Sequence, residues 1–145
     1  MTTAWTLTVD CAHPPTVAAF WRLALGYVDA APPAGWDTWE AWLTHFEVPE
    51  EEWDDGATLE DPDGRLPKVS FLKVPEGKVA KNRLHLDLQV AGGRHQPQEV
   101  RLGRITETVE RLRAAGGTVL REDRFDGALD HVVMADPEGN EFCVV

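Results

Sequence analysis

One run of elements occurs twice along the chain, and this repetition restricts the fold more than any other feature. In the first half, "WTLTVDC" (5–11) alternates and is rich in Thr and Val, the signature of a strand. The segment "HPPTVAAFWRLALGY" follows; its prolines can open a helix, and Val17, Phe20, Trp21, Ala24 and Leu25 recur at helical spacing before Gly26 stops it. In the second half, "RLHLDLQV" (83–90) alternates without a fault, placing Leu84, Leu86, Leu88 and Val90 on one side and Arg83, His85, Asp87 and Gln89 on the other. A loop is expected through "AGGRHQPQEVRLG", then a helix in "RITETVERLRAAGG" with Ile105, Val109 and Leu112 inward and Gly116 as its stop. "TVLRED" and "DHVVMAD" read as strands, "DPEGN" as a turn and "EFCVV" as a closing strand. The first half must supply matching strands, among them "PKVSFLKV" (67–74). Two halves that each run strand, helix, then several strands imply an α+β fold by internal duplication, whose sheets can curve around a shared cavity.

At 145 residues the chain suits one domain, 1–145, with modules of about 1–78 and 79–145. The formal charge is −11, from 14 basic and 25 acidic residues. Such a chain repels phosphate backbones and anionic lipid surfaces, so neither nucleic acid nor a membrane is expected as a partner. No apolar run approaches the ~20 residues that span a bilayer, and "MTTAWTLTVDCAHPP" does not read as a secretory signal. Cys11 and Cys143 are too few and too distant for a disulfide framework. A cytoplasmic location is the expectation.

The middle segment differs in character. Trp36, Trp39, Leu43 and Phe46 recur at helical intervals, with Asp37 and Glu40 placed like a capping pair, which predicts a short amphipathic helix from about 36 to 46. From Glu47 to Asp63 there are nine acids and no basic residue, which predicts a solvated loop. The Trp-rich insertion either covers exposed core or forms an aromatic wall for a flat apolar ligand, with Trp39 in that wall.

The opening strand leading into "FWRLALGY", the strand "HLDLQV", the helix ending "LRAAGG" and the terminal "MADPEGNEFCVV" occur in an order that resembles the vicinal oxygen chelate superfamily, the glyoxalase / bleomycin-resistance / dioxygenase fold. "WDTWEAW" and "VPEEEWDDGA" are similar to a glyoxalase-like branch common in bacteria. The resemblance implies two βαβββ modules, a cup-shaped mixed sheet in each, and a ligand in the cup. Metal-using relatives hold a divalent ion through a His-type ligand on the first strand of each module and a carboxylate on the last. Carried over, the second-module ligand is His85, while its first-module counterpart, aligning Val9 with Val90, is Ala4. The last-strand carboxylate, seven residues after Asp136, becomes Cys143, and its first-module partner lies near Leu72. Most of the ligand set is missing, so no metal cofactor is expected; the alternative is a divalent ion held by His85 and Glu141, which shares a strand face with Cys143.

His85 and Asp87 are therefore the candidate acid–base pair, with Thr8, Glu141, Cys143 and Trp39 as candidate ligand-binding residues. His131 alternates with Val133 and can reach the same face, and Lys73, Lys78, Lys81 and Arg83 gather before the second-module strand. The expected function is a glyoxalase-like protein that binds a small, partly apolar, aromatic or carbonyl-bearing molecule without metal, for sequestration or modest acid–base chemistry. The alternatives are a divalent-metal lyase or dioxygenase of the same superfamily, and a purely structural module. A homodimer is expected, since relatives commonly complete their modules across a two-fold axis and six Trp residues leave aromatic surface to cover.

Overall fold

The computed structural model describes residues 1–145. The chain divides into two compact units, Met1–Arg22 with Gly26–Gly77 and Leu23–Leu25 with Lys78–Val145. In chain order the first half contains β1 (Leu7–Cys11), α1 (Pro14–Leu25), β2 (Val28–Asp29), α2 (Trp39–His45), β3 (Gly56–Glu60) and β4 (Val69–Lys73). The second contains β5 (Asp87–Leu88), α3 (Gln98–Ala114), β6 (Thr118–Phe125), β7 (Ala128–Ala135) and β8 (Glu141–Val144). The sheets run β1-β4-β3-β2 and β5-β8-β7-β6. In each, the first strand lies parallel to the last and the remaining pairings are antiparallel. This is one βαβββ wiring used twice, in two open mixed sheets, and the fold is α+β.

The local chemistry explains most boundaries. Pro14 and Pro15 sit in the first turn of α1, where a missing N–H leaves no bond unmade, and Gly26 ends the helix at φ 70°. Val17, Ala18, Phe20 and Trp21 form its buried face. In α3 the buried residues are Ile105, Thr108 and Leu112, with Val109 only half-buried. This helix starts at Gln98, inside the stretch expected to be loop, because Pro97 sets the extended entry and "QEVRLG" completes the first turns despite its polar residues and Gly103. The two "DPxG" turns are built alike. Asp61 accepts the N–H groups of Asp63, Arg65 and Leu66, and Asp136 those of Glu138 and Asn140, while Gly64 and Gly139 take φ of 65° and 86°.

Three further expectations need correction. The alternating segment 83–90 is a strand only at Asp87–Leu88, with backbone pairing extended from Leu86 to Ala91 by bonds to Cys143 and Val145. Its partner β8 is short, so Leu84 is left 81% exposed and the apolar face begins at Leu86. The acidic stretch 47–63 is not all loop: it holds β3, whose Leu59 is fully buried, and a 3-10 turn at Glu50–Asp55. The middle helix starts at Trp39, and its cap is Thr38, whose Oγ1 accepts the Ala41 N–H at 3.1 Å, in place of Asp37 and Glu40. No helix is long and apolar enough to cross a membrane.

Candidate functional site

Strand period and register decide which side chains of the second unit meet. Leu88, Phe142, Val144, Val132 and Met134 are buried on the sheet face that packs against α3. The opposite face carries Asp87 beside Cys143 across β5 and β8, Val133 beside Cys143 on β7, and His131 opposite Asp123 on β6. His85, one period before Asp87, sets its Nε2 3.3 Å from Asp87 Oδ1. Both side chains are nearly half exposed, whereas Cys143 is buried. Burial, and then the neighbouring Asp87 carboxylate, pushes the Cys143 thiol up to about 11, so it stays protonated at neutral pH. Donor atoms of His85, Asp87 and Cys143 lie within 4.8 Å of one another. They line a cavity of about 410 Å³ with Gln89, Arg101, Asp130 and His131.

A β-bulge shapes one wall of this cavity. Asp123 pairs with His131 and Arg124 with Leu129, so Asp130 is an extra residue on β7. The bulge lets Asp130 and His131 meet, Oδ2 to Nδ1 at 3.0 Å, while His131 Nε2 reaches Asp123 Oδ2 at 3.0 Å. Arg94 grips the Asp130 carboxylate with two bonds of 2.8 Å, and Arg101 donates to its Oδ1 at 3.3 Å and its carbonyl at 3.0 Å. Arg94 above all, then His131, holds the Asp130 carboxyl well below the usual carboxylate range, against the opposing effect of burial. Arg101 Nε is buried on this wall without a hydrogen-bond partner. Glu141 does not join the converging donors. Its carboxylate pairs with Lys81 at 3.0 Å, and that cation draws its pKa down.

Thr8 and Trp39 belong to the first unit and line a cavity there of about 620 Å³. Thr8, Ser70 and Thr58 form one row across β1, β4 and β3, with the Thr58 and Ser70 hydroxyls 3.1 Å apart. Trp39, Trp42 and Trp53 supply the aromatic wall. The Trp39 indole N–H donates to Ala30 O at 2.8 Å and that of Trp53 to Val48 O at 3.0 Å, which fixes both rings.

The two modules can now be aligned through their structure. Phe71 on β4 and Phe142 on β8 are the almost fully buried aromatics of the last strands, which makes Leu72 the mate of Cys143. Leu72 pairs with Asp10, as Cys143 pairs with Asp87, so the mate of His85 is Thr8 and not Ala4. The register therefore differs by four residues from the alignment of Val9 with Val90, because β5 pairs through its early residues. The two faces keep one group and differ in the others: Asp10 stands where Asp87 does, while a hydroxyl, Thr8, and an alkyl group, Leu72, replace the imidazole and the thiol.

A family model described as a glyoxalase-like domain matches residues 6–145. The chain belongs to the glyoxalase-like domain family. With it comes membership of the vicinal oxygen chelate superfamily. A glyoxalase/bleomycin resistance protein/dioxygenase family enzyme from Burkholderia phytofirmans is 14% identical with a TM-score of 0.57, over 96% of this chain and 94% of that one. A possible glyoxalase from Bacillus cereus is 14% identical at TM-score 0.59, over 100% and 99%. A fosfomycin resistance protein from Listeria monocytogenes, solved with Mn(II) and a dihydroxypropylphosphonic acid, is 12% identical at TM-score 0.61, over 99% and 89%. No curated protein matches the sequence. These likenesses concern the fold. In this glyoxalase-like protein, Arg94, Arg101 and Asp130 gather at a bulge, which has no signature in residue period. The repeat of "DPDG" at 61–64 and "DPEG" at 136–139 marks the equivalent turns, between β3 and β4 and between β7 and β8, but not the strand register.

Proposed function

We propose that this glyoxalase-like protein binds a small, partly apolar, carbonyl-bearing molecule in the second unit's cavity and moves a proton on it without a metal. The observation that carries this reading is the buried, unpartnered Nε–H of Arg101 on the wall that His85, Asp87 and Cys143 share. A buried donor left unsatisfied costs about 1–3 kcal/mol, and a ligand carbonyl oxygen that displaces the atoms covering this N–H would satisfy it. His85 then acts as the base for a proton on the carbon next to that carbonyl, and Asp87, 3.3 Å away, stabilises the imidazolium. The Arg101 cation stabilises the charge gathering on the oxygen. Cys143, protonated, packs beside the bound molecule and is not a nucleophile. Thr8 and Trp39 are assigned to binding in the first unit's cavity, and Glu141 to fixing Lys81.

The test is wash-in of solvent deuterium next to the carbonyl of hydroxyacetone and of phenylpyruvate, followed by proton NMR. Protein-dependent exchange that falls about 100-fold or more in His85→Gln supports the assignment, the range expected for loss of a general base. Exchange as fast in His85→Gln as in the native protein refutes it.

A second reading, a divalent ion, is favoured by the convergence of His85, Asp87 and Cys143 within 4.8 Å. An imidazole, a carboxylate and a thiol make a donor set that suits zinc-like ions, and an ion would itself deprotonate the thiol. A bound ion there would polarise the carbonyl as a Lewis acid. Titration with zinc chloride by calorimetry separates the readings: near-stoichiometric binding lost in Cys143→Ser favours the ion, and no binding heat favours the metal-free site.

A further inference from the structure

We infer that the first unit's cavity is a binding site for a small organic cation with a flat aromatic or N-methylated headgroup. This rests on the reading that Thr8 and Trp39 line a ligand site, and it adds the charge and shape of the ligand.

The cavity, of about 620 Å³, is large enough to enclose a molecule of one or two rings. Its walls are made by Trp39, Trp42 and Trp53. The N–H groups of Trp39 and Trp53 are already committed to backbone carbonyls, so what these rings offer a ligand is their π faces. Trp39 and Trp42 meet edge to face, at 5.8 Å and 81°, which presents two differently oriented faces. An indole face is the strongest aromatic partner for a cation.

The ionised groups on the lining point to the same class. Asp29, Glu40, Glu52 and Asp54 line the cavity, and no Lys, Arg or His does. Arg22 answers Asp29 at 2.7 Å, and Lys73 lies close enough to feel Glu52. Glu40 and Asp54 enter none of the ion pairs of the first unit. The Thr8, Ser70 and Thr58 hydroxyls provide the remaining polar contacts, without charge. An anion placed here would meet carboxylates and π faces, both of which repel it. A neutral ring would gain the apolar contacts alone. A cation gains the rings and the carboxylates together.

The probe is benzyltrimethylammonium, compared with benzyl alcohol and benzoate, with binding read by tryptophan fluorescence and by calorimetry on the full chain. The expected result is that the cation binds at least tenfold tighter than the alcohol and that benzoate does not bind. The double variant Glu40→Gln with Asp54→Asn should weaken the cation about tenfold and leave the alcohol unchanged. Both side chains are exposed and outside the ion pairs, so the variant keeps its fold, which circular dichroism verifies. Trp53→Leu should weaken cation and alcohol alike. If cation and alcohol bind equally, or the double variant binds the cation as the native chain does, the charge assignment is overturned while the ligand site stands. If none of the three binds, the ligand site itself is overturned.

Discussion

Asp130→Asn isolates the bulge that shapes the second unit's cavity. The carboxylate takes two bonds from Arg94, one from Arg101 and one from His131, and Asp130 is 7% exposed. Asparagine keeps the volume but loses the charge and part of the accepting capacity. Arg94 is largely exposed and regains water when released, so its bonds are discounted; the Arg101 side chain is only 12% exposed and does not. Counting the two bonds from Arg101 and His131 at the lower end of the range for charged hydrogen bonds, about 1.5 kcal/mol each, the loss is about 3 kcal/mol. For a chain of this size that is a fall in Tm of about 10 °C. The pH dependence follows from the direction of the shift. The folded-state pKa of Asp130 is depressed, so its contribution is complete above the unfolded value of about 3.9 and is lost as pH falls below it. Urea unfolding followed by circular dichroism at pH 7 and pH 3 should therefore show a native–variant gap about 1 kcal/mol smaller at the lower pH. A gap under about 0.5 kcal/mol at pH 7, or one undiminished at pH 3, refutes the reasoning, since both magnitude and trend come from the same charged contacts.

Phe71→Ala and Phe142→Ala, in equivalent strands and both essentially unexposed, should each cost about 3–5 kcal/mol in denaturant unfolding; a loss under about 1 kcal/mol in either would undo their equivalence. Native protein at pH 7.5 should resist alkylation of Cys143 by iodoacetamide and react once unfolded, as judged by mass spectrometry, because burial holds the thiol at about 11. Modification of the native chain within minutes would contradict this. Light scattering should give twice the chain mass, since Trp5, Leu84 and Phe125 leave apolar surface exposed; a monomer mass across a wide concentration range would rule the dimer out.

The duplicated wiring was legible because it is written in coarse signals: residue period, prolines before a helix, glycines after one. These survive even where the two modules share little sequence. What stayed hidden depended on partners distant in the chain. The register that makes Thr8 the mate of His85 is set by β4 and β8, and no local pattern reports it. Leu59 looked like part of a solvated acidic loop because its charged neighbours mask a strand whose inner face is packed. Alternation puts His85 and Asp87 on one strand face, but the bulge at Asp130 interrupts alternation, so the groups it gathers are visible only in three dimensions. Glu141 was placed correctly on its face by period, and its capture by Lys81 was beyond what period encodes.

The Trp-rich insertion joins β2 to β3 in one module and has no counterpart between β6 and β7, where Asp126 and Gly127 close a tight hairpin. Its helix contributes no residue to the core, and its rings are steadied by each other and by nearby carbonyls. Changes in this segment therefore leave the sheet beneath it intact. A lineage carrying this fold can exchange the aromatic wall, lengthen it or recharge it in single steps, and each step is selected on what the wall recognises without first being screened for whether the chain still folds.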